Sequence, residues 1–563
     1  MISRFAIVTL ILFFLSAIFV IQSLSFHVPL PLIGRRKVTI GLVTAPIMAI
    51  MILWASQCLG VTQIRNGIVG TDNIKPYNII ILFISFAYMA ITLDVTGIFQ
   101  AAAFWVSNKG GSSGHKLYLY LYLLLTLISM VVGNDPVFLF GTAFLVHYTA
   151  ATGLDPDAWL ISEFAAANTA SMVLFVGNPT NVVICEGFRI NNAAFTAYTI
   201  LPFIACSIAC YLVLMLQYRS ENHVPRKFKA SGHLNPREVL RDPVSAILGS
   251  IWLAICLIAV IVLSFFHVDA WKVVLPFAGG KFIFDIFWDH YRYSTGKIPK
   301  FDENRPNVAD DRNVAAAFRR ATSDDMQRDS APQSIHTLQN DEDASANTPK
   351  QFESSTLPYL NSTLQRAPVP TTPPRATTPR SIREPRRRLS SKYQELAAHF
   401  PTFFTALPRL PFILVPFAFS QFILIEALEH QGWIDIFAGW LVTASNKQIM
   451  PVVWLIGVFG VILCNISGTS IGATILLTKI IRASNFREDT ARAAAVSLAV
   501  ASNIGAVSFT FSASLGGLLW VAILKDKGIK IKQWKFAMWN TLPLIAMTSV
   551  GLGVVSAMMA VLY

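Results

Sequence analysis

The sequence predicts an all-α polytopic membrane protein of two inverted repeats, each with a re-entrant hairpin and a broken transmembrane helix. Three observations lead there. Of 563 residues, 54% are hydrophobic and 14% charged, with a mean hydropathy of +0.53. Mostly apolar runs of about 18 residues or more recur along most of the length, which soluble domains rarely show. Second, two runs are interrupted at Gly133-Asn134-Asp135-Pro136 and Gly177-Asn178-Pro179-Thr180-Asn181, where Pro removes an N–H and Gly lowers helix propensity. Third, the same signals return in the same order beyond a long polar stretch.

The first unit, residues 1–76, holds N-terminal spans. Ser3 to Leu24 is apolar with one early basic residue, Arg4. It reads as a retained span or a signal peptide; its long apolar core and the lack of a small-x-small cleavage site favour the span. Gly34-Arg35-Arg36-Lys37 precedes a second span, Val38 to Leu59, and three basic residues in a short loop place that loop in the cytoplasm.

Residues 77–218 form the first repeat. Tyr77 to Trp105 is a long span carrying Asp94 and Gly97. Leu117 to Val132 and Val137 to Ala151 fall short of the roughly 20 residues a crossing needs. They read as a re-entrant hairpin with its tip at Asn134-Asp135, or as two tilted spans joined by a tight turn. The next apolar run starts at Ala158 and is interrupted at residues 177–181. Lipid cannot satisfy the freed backbone groups, so such a break persists only where protein or a water-filled cavity covers it. With Asn168 and Thr169 upstream, the break marks half of a binding cavity, or else a Pro kink packed against its neighbours. Thr196 to Tyr218 closes the repeat.

Residues 219–290 comprise a basic loop and two connecting spans, near Ala246 to Phe266 and Ala270 to Trp288. In the second, Lys272 and Asp285 are expected to snorkel at the ends, while Lys281 is paired with a carboxylate or lies near the interface. Residues 291–407 are rich in Ser, Thr, Pro, Asp and Arg and are expected to be a disordered cytoplasmic linker. Its part from Arg366 to Lys392, with eight basic residues against Glu384, suits an anionic lipid surface. Arg387-Arg388-Leu389-Ser390 resembles a site for a basic-directed protein kinase, which makes Ser390 a candidate regulatory residue; an inert linker is the alternative.

Residues 408–563 form the second repeat. Leu410 to Trp440 contains Glu426 and Glu429, and Pro451 to Leu463 leads into Cys464-Asn465-Ile466-Ser467-Gly468, then Thr469 to Ile481. Ala493 to Leu524 holds Ser502-Asn503 and Ser512-Ala513-Ser514, and five lysines from Lys525 to Lys535 precede the final span, Phe536 to Tyr563. Leu93-Asp94-x-x-Gly97 matches Leu428-Glu429-x-x-Gly432, Asn134 followed by Gly141 matches Asn465 followed by Gly472, and Asn168 matches Asn503. The acidic residue and the later Asn are separated equally in both blocks, an agreement chance would rarely give. Counting crossings, the first block begins outside and the second in the cytoplasm, so the repeats are inverted. One cost is that Lys479, Arg482, Arg487 and Arg492 fall near an outward loop, against the positive-inside tendency, which Glu488 and Asp489 offset only in part.

Composition also excludes classes. The net charge of +13 sits in loops and describes topology, not nucleic-acid binding. Six cysteines lack metal-site spacing, and Cys206 and Cys210 read as packing. No His-Glu-x-x-His or Gly-x-Gly-Asp motif stands on a span, so the chain does not read as an enzyme. No cofactor or metal is expected.

AANTASMVLFVGNPTN, the GND tip, and ASNIGAVSFTFSASLGGLLW followed by the lysine loop and the TLPLI span resemble the arsenite-pump and sodium/proton-antiporter family. That family is a branch of the ion transporter superfamily that includes citrate and dicarboxylate carriers. The resemblance covers about Tyr77 to Tyr218 and Leu410 to Tyr563. It implies secondary transport through one central site at Asn134, Asn178 and Asn181 in one half and Asn465 and Asn503 in the other. The dicarboxylate branch shows Ser-Asn-Thr at both tips, where this chain has Gly-Asn-Asp and Cys-Asn-Ile-Ser.

The candidate substrate or ion site therefore comprises Asn134, Asp135, Asn168, Thr169, Gly177, Asn178, Thr180, Asn181, Asn465, Ser467, Thr469, Ser502, Asn503, Ser512 and Ser514. Asn amides donate and accept, and half-helix N-termini carry partial positive charge. Such a pocket suits a small oxyanion, a neutral hydroxide such as arsenous acid, or sodium. Asp135 is expected to exchange a coupling proton or ligate Na+, or to cap the second hairpin arm. The expected function is alternating-access transport of a small ion or oxyanion driven by H+ or Na+. A di- or tricarboxylate carrier, a passive channel and a receptor are the alternatives, and a homodimer is a further expectation. The expected location is the plasma membrane or a vacuolar or other internal membrane.

Overall fold

The computed structural model describes residues 3–30, 34–71, 74–228, 234–266, 268–298 and 392–563. Ser390 and most of the basic linker lie outside them. Eight helices among the described residues are long and apolar enough to cross a membrane. Their outer faces show which solvent they meet. On α11 (Asn192–Gln217), Leu201, Ile204, Ile208, Leu212 and Leu216 are exposed on one stripe, and on α13 (Pro243–Ser264) so are Ile247, Ile251, Ile255 and Ile258. Continuous exposed aliphatic stripes of this extent need lipid around them, and the chain is a multi-pass integral membrane protein.

The first half opens with α4 (Pro76–Val95) and α5 (Ile98–Gly110), then α6 (Gly114–Val132). A helical stretch from Asn134 to Thr152 follows, made of α7 (Asn134–Val137), a π turn at Phe138–Thr142 and α8 (Ala143–Thr152). Then come α9 (Pro156–Ala170), α10 (Pro179–Phe188) and α11. After α12 (Pro236–Val239), α13, α14 (Ala270–Ser294) and α15 (Pro401–Ala406), the series repeats. Its members are α16 (Leu414–His430), α17 (Trp433–Ser445), α18 (Ile449–Ile466), α19 (Ser470–Ala483), α20 (Glu488–Ile504), α21 (Leu515–Asp526) and α22 (Gln533–Leu562). Helices α9, α10 and α20, which flank interruptions, and α19 beside them are almost wholly buried, whereas α11 and α22 wrap them on the lipid side.

Backbone geometry corrects the register of the repeat. Gly97 and Gly432 both take positive φ (84° and 79°), as do Gly133 and Gly468 (83° and 84°). From 97 to 432, 133 to 468 and 168 to 503 the offset is 335 each time. Asn134 therefore corresponds to Thr469, and the match of Asn134 and Gly141 to Asn465 and Gly472 is slipped by four residues. Asn465 belongs to the last turn of α18.

Several boundaries differ from expectation. The long spans Tyr77 to Trp105 and Leu410 to Trp440 each split, at Gly97 and Gly432. Gly97 is required twice over: its φ is left-handed, and a Cβ there would lie 2.1 Å from the Val239 carbonyl oxygen. The second N-terminal span does not form. Residues expected in the cytoplasmic loop make an antiparallel hairpin, β1 (Leu24–Leu30) with β2 (Gly34–Ile40), so the fold is all-α apart from this hairpin. The apolar helix behind it, α2 (Thr44–Ala55), is 12 residues, about 18 Å at 1.5 Å per residue, and too short to cross. Helix α6 spans 19 residues, enough for a crossing, because it starts at Gly114. The expected disordered stretch 291–407 is trimmed at both ends: α14 continues to Ser294, and residues 392–399 and 401–406 are helical. Asp289 accepts from the Thr402 amide and hydroxyl at 2.9 and 3.0 Å, which pins α15 to α14.

Four carboxylates inside the bundle, Asp94, Asp285, Glu426 and Glu429, are paired with bases. Asp285 does not snorkel; it is 1% exposed and bonds Lys281, while Tyr88 donates to it at 3.0 Å. The acidic residues Asp94 and Glu429 hold Arg409 and Lys479 respectively, and Lys479 also meets Glu426 at 3.0 Å. Lys479 is thus a buried partner and not a loop charge, which removes part of the conflict with the positive-inside tendency. Removing one member of a buried pair costs about 3–5 kcal/mol, because the other charge stays buried. Lys281→Met should sharply lower the unfolding temperature of the purified protein in detergent, and adding Asp285→Asn should restore most of it. Equal losses in the single and double variants would contradict the pairing.

Candidate functional site

The first break is wider than the Gly-Asn-Pro-Thr-Asn motif suggests. Helix α9 ends at Ala170, a 3-10 turn covers Phe175–Gly177, and α10 starts at Pro179 with Asn178 as its N-cap. Freed carbonyls need donors, and side chains supply them. Asn181 Nδ2 donates to the Ser171 and Leu174 carbonyls at 2.8 and 2.9 Å, and Thr199 Oγ1 donates to Val173 at 3.3 Å. The second break runs from Gly505 to Ser514. There Asn465 Oδ1 accepts from Ser508 Oγ, the Phe509 amide and Thr510 Oγ1 at 2.9 to 3.2 Å.

The two breaks meet at Asn503. Its Oδ1 accepts from Ser171 Oγ at 2.9 Å and Asn178 Nδ2 at 3.2 Å, and its Nδ2 donates to Asn181 Oδ1 at 2.8 Å and the Ala499 carbonyl at 2.9 Å. All four of its hydrogen-bonding positions are filled. Ser502 Oγ approaches Thr180 Oγ1 at 3.5 Å in the same cluster. Asn134 Nδ2 donates to Asn168 Oδ1 at 3.1 Å, and Ser171 Oγ, whose single proton is shared with Asn503 Oδ1, stands 2.7 Å from the Asn168 carbonyl, which connects the hairpin tip to the cluster.

Other candidates do different work. Asn465 serves the second break and does not join the Asn503 cluster. Thr469 and Ser514 are N-caps of α19 and α21, accepting from Gly472 and Gly517 amides at 3.3 and 2.9 Å. Ser467 Oγ donates to the Leu463 and Thr469 carbonyls within its own turn. Thr169 Oγ1 donates to Met547 Sδ at 3.2 Å, toward α22. Ser512 Oγ is buried with no partner among the described residues. Asp135 is not a cap: Gly133 holds that position, and Asp135 stands in the first turn. It has no hydrogen-bond or ion-pair partner among the described residues.

Asp135 instead lines a cavity of about 560 Å³ beside the hairpin tip, a size typical of small-molecule sites. Gly133, Asn134, Val176 and Gly177 line it together with Leu515, Leu518 and Leu519, with Phe83, Phe86 and Ile91 of α4 and with Leu407 to Ile413. The helical stretch from Asn134 to Thr152 and helix α21 both begin at this cavity. A Cβ on Gly516 would lie 3.1 Å from Asn134 Nδ2, so the two starts are in contact range. Arg409 was not found from the sequence. Its signal was a lone guanidinium in Pro408-Arg409-Leu410-Pro411 at the edge of an apolar block. Ser171 was also missed, although it stands one turn beyond Asn168.

Paired interrupted helices, joined by side-chain amides within a lipid-facing bundle, define a polytopic protein with a central polar junction. Residues 30–289 match the family described as "Citrate transporter" (CitMHS). An arsenical pump membrane protein of Escherichia coli is 24% identical over 253 residues, 44% of this chain and 58% of that protein. Its counterpart in Yersinia enterocolitica is 26% identical over 256 residues, with the same coverage. An uncharacterized transporter of Mycobacterium tuberculosis is 22% identical over 224 residues, 38% of this chain and 52% of that protein. The matches thus span little more than half the length of these relatives. A crystal structure of the Alcanivorax borkumensis YdaH transporter aligns over 99% of this chain and 98% of that one, with a TM-score of 0.45 and 12% identity. Part of the chain is thus similar in sequence to citrate transporters and to arsenical pump membrane proteins.

A Cβ on Gly177 would lie 2.4 Å from the Ser171 carbonyl oxygen, across the narrowest part of the first break. Overpacking of this kind costs about 1–3 kcal/mol. Gly177→Ala should lower the unfolding temperature in detergent, while Gly279→Ala, with nothing within 4 Å, should leave it unchanged or raise it. Equal behaviour of the two variants would contradict the close approach.

Proposed function

We propose that the protein is a secondary active transporter that moves a small inorganic ion or oxyanion across its membrane by alternating access, driven by H+ or Na+. The observation that carries this reading is the junction at Asn503, where the breaks of both halves meet inside the bundle. Irregular backbone at that depth is tolerated where it lines a ligand path. On this reading the halves insert in opposite orientation, and helices α10 and α21 each rest on the other half's hairpin. Gly187 of α10 reaches Thr478 of α19, and Gly516 of α21 reaches Phe138. A rocking motion of one half would then open the cavity to alternate sides.

Asp135 is the coupling group in this proposal. It is the one carboxylate among the cavity's lining residues, and its side chain has no ion-pair partner among the described residues. A second reading, a carboxylate carrier of the citrate type, is favoured by the family match over residues 30–289. Reconstituted liposomes test the proposal. An imposed proton or sodium gradient should drive uphill accumulation of one solute among arsenite, citrate and sodium, and Asp135→Asn should abolish the pH dependence of that flux. Purely downhill flux would make the protein a channel, and an unchanged pH profile in Asp135→Asn would remove its coupling role.

A further inference from the structure

A second cavity, of about 540 Å³, lies on the other face of the first break. Its lining includes Asn78 and Leu82 of α4, Glu186 of α10, and Ser264 and Asp269 at the turn from α13 to α14. It shares two elements with the cavity beside the hairpin tip, and shares them at adjacent residues. On the 3-10 turn, Phe175 lines the second cavity while Val176 and Gly177 line the first; on α4, Leu82 lines the second while Phe83 and Phe86 line the first. We propose that the two cavities are the two ends of one solute path, that the apolar wall between them is its constriction, and that Phe175 is the residue that sets its bore. The proposal deepens the carrier reading and rests on it only for what drives the solute; access to the path can be measured without flux.

Three observations support it. First, the path has a continuous side. Asn78, Leu82 and Phe86 stand at i, i+4 and i+8 on one face of α4, a stripe of about 12 Å at 1.5 Å per residue that passes from one cavity into the other. Second, the cavities lie toward opposite sides of the membrane. The Arg241 amide donates to the Thr96 carbonyl at 2.9 Å, and Trp288 Nε1 and Arg292 Nη1 donate to Asp242 at 2.8 and 3.0 Å. The end of α4, the start of α13 and the end of α14 therefore share one side. The first cavity reaches toward that side, since its lining residue Arg409 is 3.2 Å from Asp94 near the end of α4. Lys75, Ser264 and Ala270, at the opposite ends of the same three helices, line the second. Third, the wall is dry. Leu82, Phe86, Phe175 and Val176 are all buried and offer no polar side-chain atom, and an apolar constriction of this kind closes a path by excluding water. Polar groups stand on its far side: Asn78 is buried with Oδ1 unpartnered among the described residues, and Glu186 accepts the Lys75 amide at 3.1 Å. Of the wall residues, Phe175 has the largest side chain on the break itself, the element that the carrier reading sets in motion, whereas Leu82 and Phe86 belong to the regular helix α4.

The test is cysteine labelling of the full chain in membrane vesicles of both orientations, with a charged, membrane-impermeant methanethiosulfonate and the labelled sites located by peptide mass spectrometry. Cys185 is the one cysteine among the residues lining either cavity and reports on the second; Leu139→Cys places a thiol in the first. In the Leu139→Cys protein, Cys185 and position 139 should be labelled fastest from opposite sides. Adding Phe175→Ala should raise labelling of position 139 from the Cys185 side by roughly tenfold or more. Leu82→Ala, which thins the same wall from α4, is the companion should Phe175→Ala fail to fold as judged by its unfolding temperature in detergent, and should act in the same direction. Labelling of both positions fastest from one side would overturn the proposal, as would a folded Phe175→Ala or Leu82→Ala protein in which position 139 is labelled no faster from the Cys185 side. Labelling that responds to Phe175→Ala as stated, with no gradient-driven flux in liposomes, would leave the path standing and remove the carrier reading instead.

Discussion

Everything in this fold depends on satisfying backbone groups where two helices stop inside the bundle. A helix interrupted at membrane depth exposes N–H and C=O groups that lipid cannot meet, at several kcal/mol each. The chain meets that demand with side-chain amides. Asn181 takes the carbonyls of the first break, Asn465 takes donors of the second, and Asn503 bonds Ser171, Asn178 and Asn181 across the boundary between the halves. An amide suits this work because it donates and accepts without a charge that would need its own partner. The apolar helices outside this junction then act as its insulation, with aliphatic stripes to lipid on α11 and α13, while the buried α9 carries the small residues Ala165, Ala166 and Ala167.

The halves repeat in element order but not in chemistry. Thr469 stands where Asn134 stands, as the constant offset of 335 between paired glycines and between Asn168 and Asn503 shows. Asn134 bonds Asn168 and faces the cavity, whereas Thr469 caps its own helix. The cavity is therefore built mainly on the first hairpin, on the start of α21 and on the 407–413 wall.

Much of this was legible in the sequence, and the exceptions have physical reasons. Span positions followed from hydropathy, and the residues of the central junction followed from Asn, Gly and Pro inside apolar runs. Asn134, Asn168, Asn178, Asn181 and Asn503 do come together. Splits at Gly97 and Gly432 were not read, because one glycine in an apolar run looks like packing until its φ is known. The register slipped because Asn465 and Gly472 copied the spacing of Asn134 and Gly141 by coincidence, whereas the backbone turn sits at Gly468. Lys479 with Glu429 could not be assigned as a buried pair, since periodicity carries no information on which distant charges meet, whereas Lys281 and Asp285 stand one helical turn apart and a carboxylate partner was one of the two readings of Lys281.

A double-mutant cycle between Asn181 and Asn503 addresses the central claim most directly. Unfolding of the purified protein in detergent would be measured for Asn181→Ala, Asn503→Ala and the pair. Hydrogen bonds inside membrane proteins couple by about 0.6 kcal/mol on average and up to about 1.7. Here, with a 2.8 Å bond between two fully buried amides, the account predicts a double variant less destabilised than the sum of the singles by an amount in that range. Strictly additive losses would mean that the two halves are not joined at Asn503, and would contradict the account.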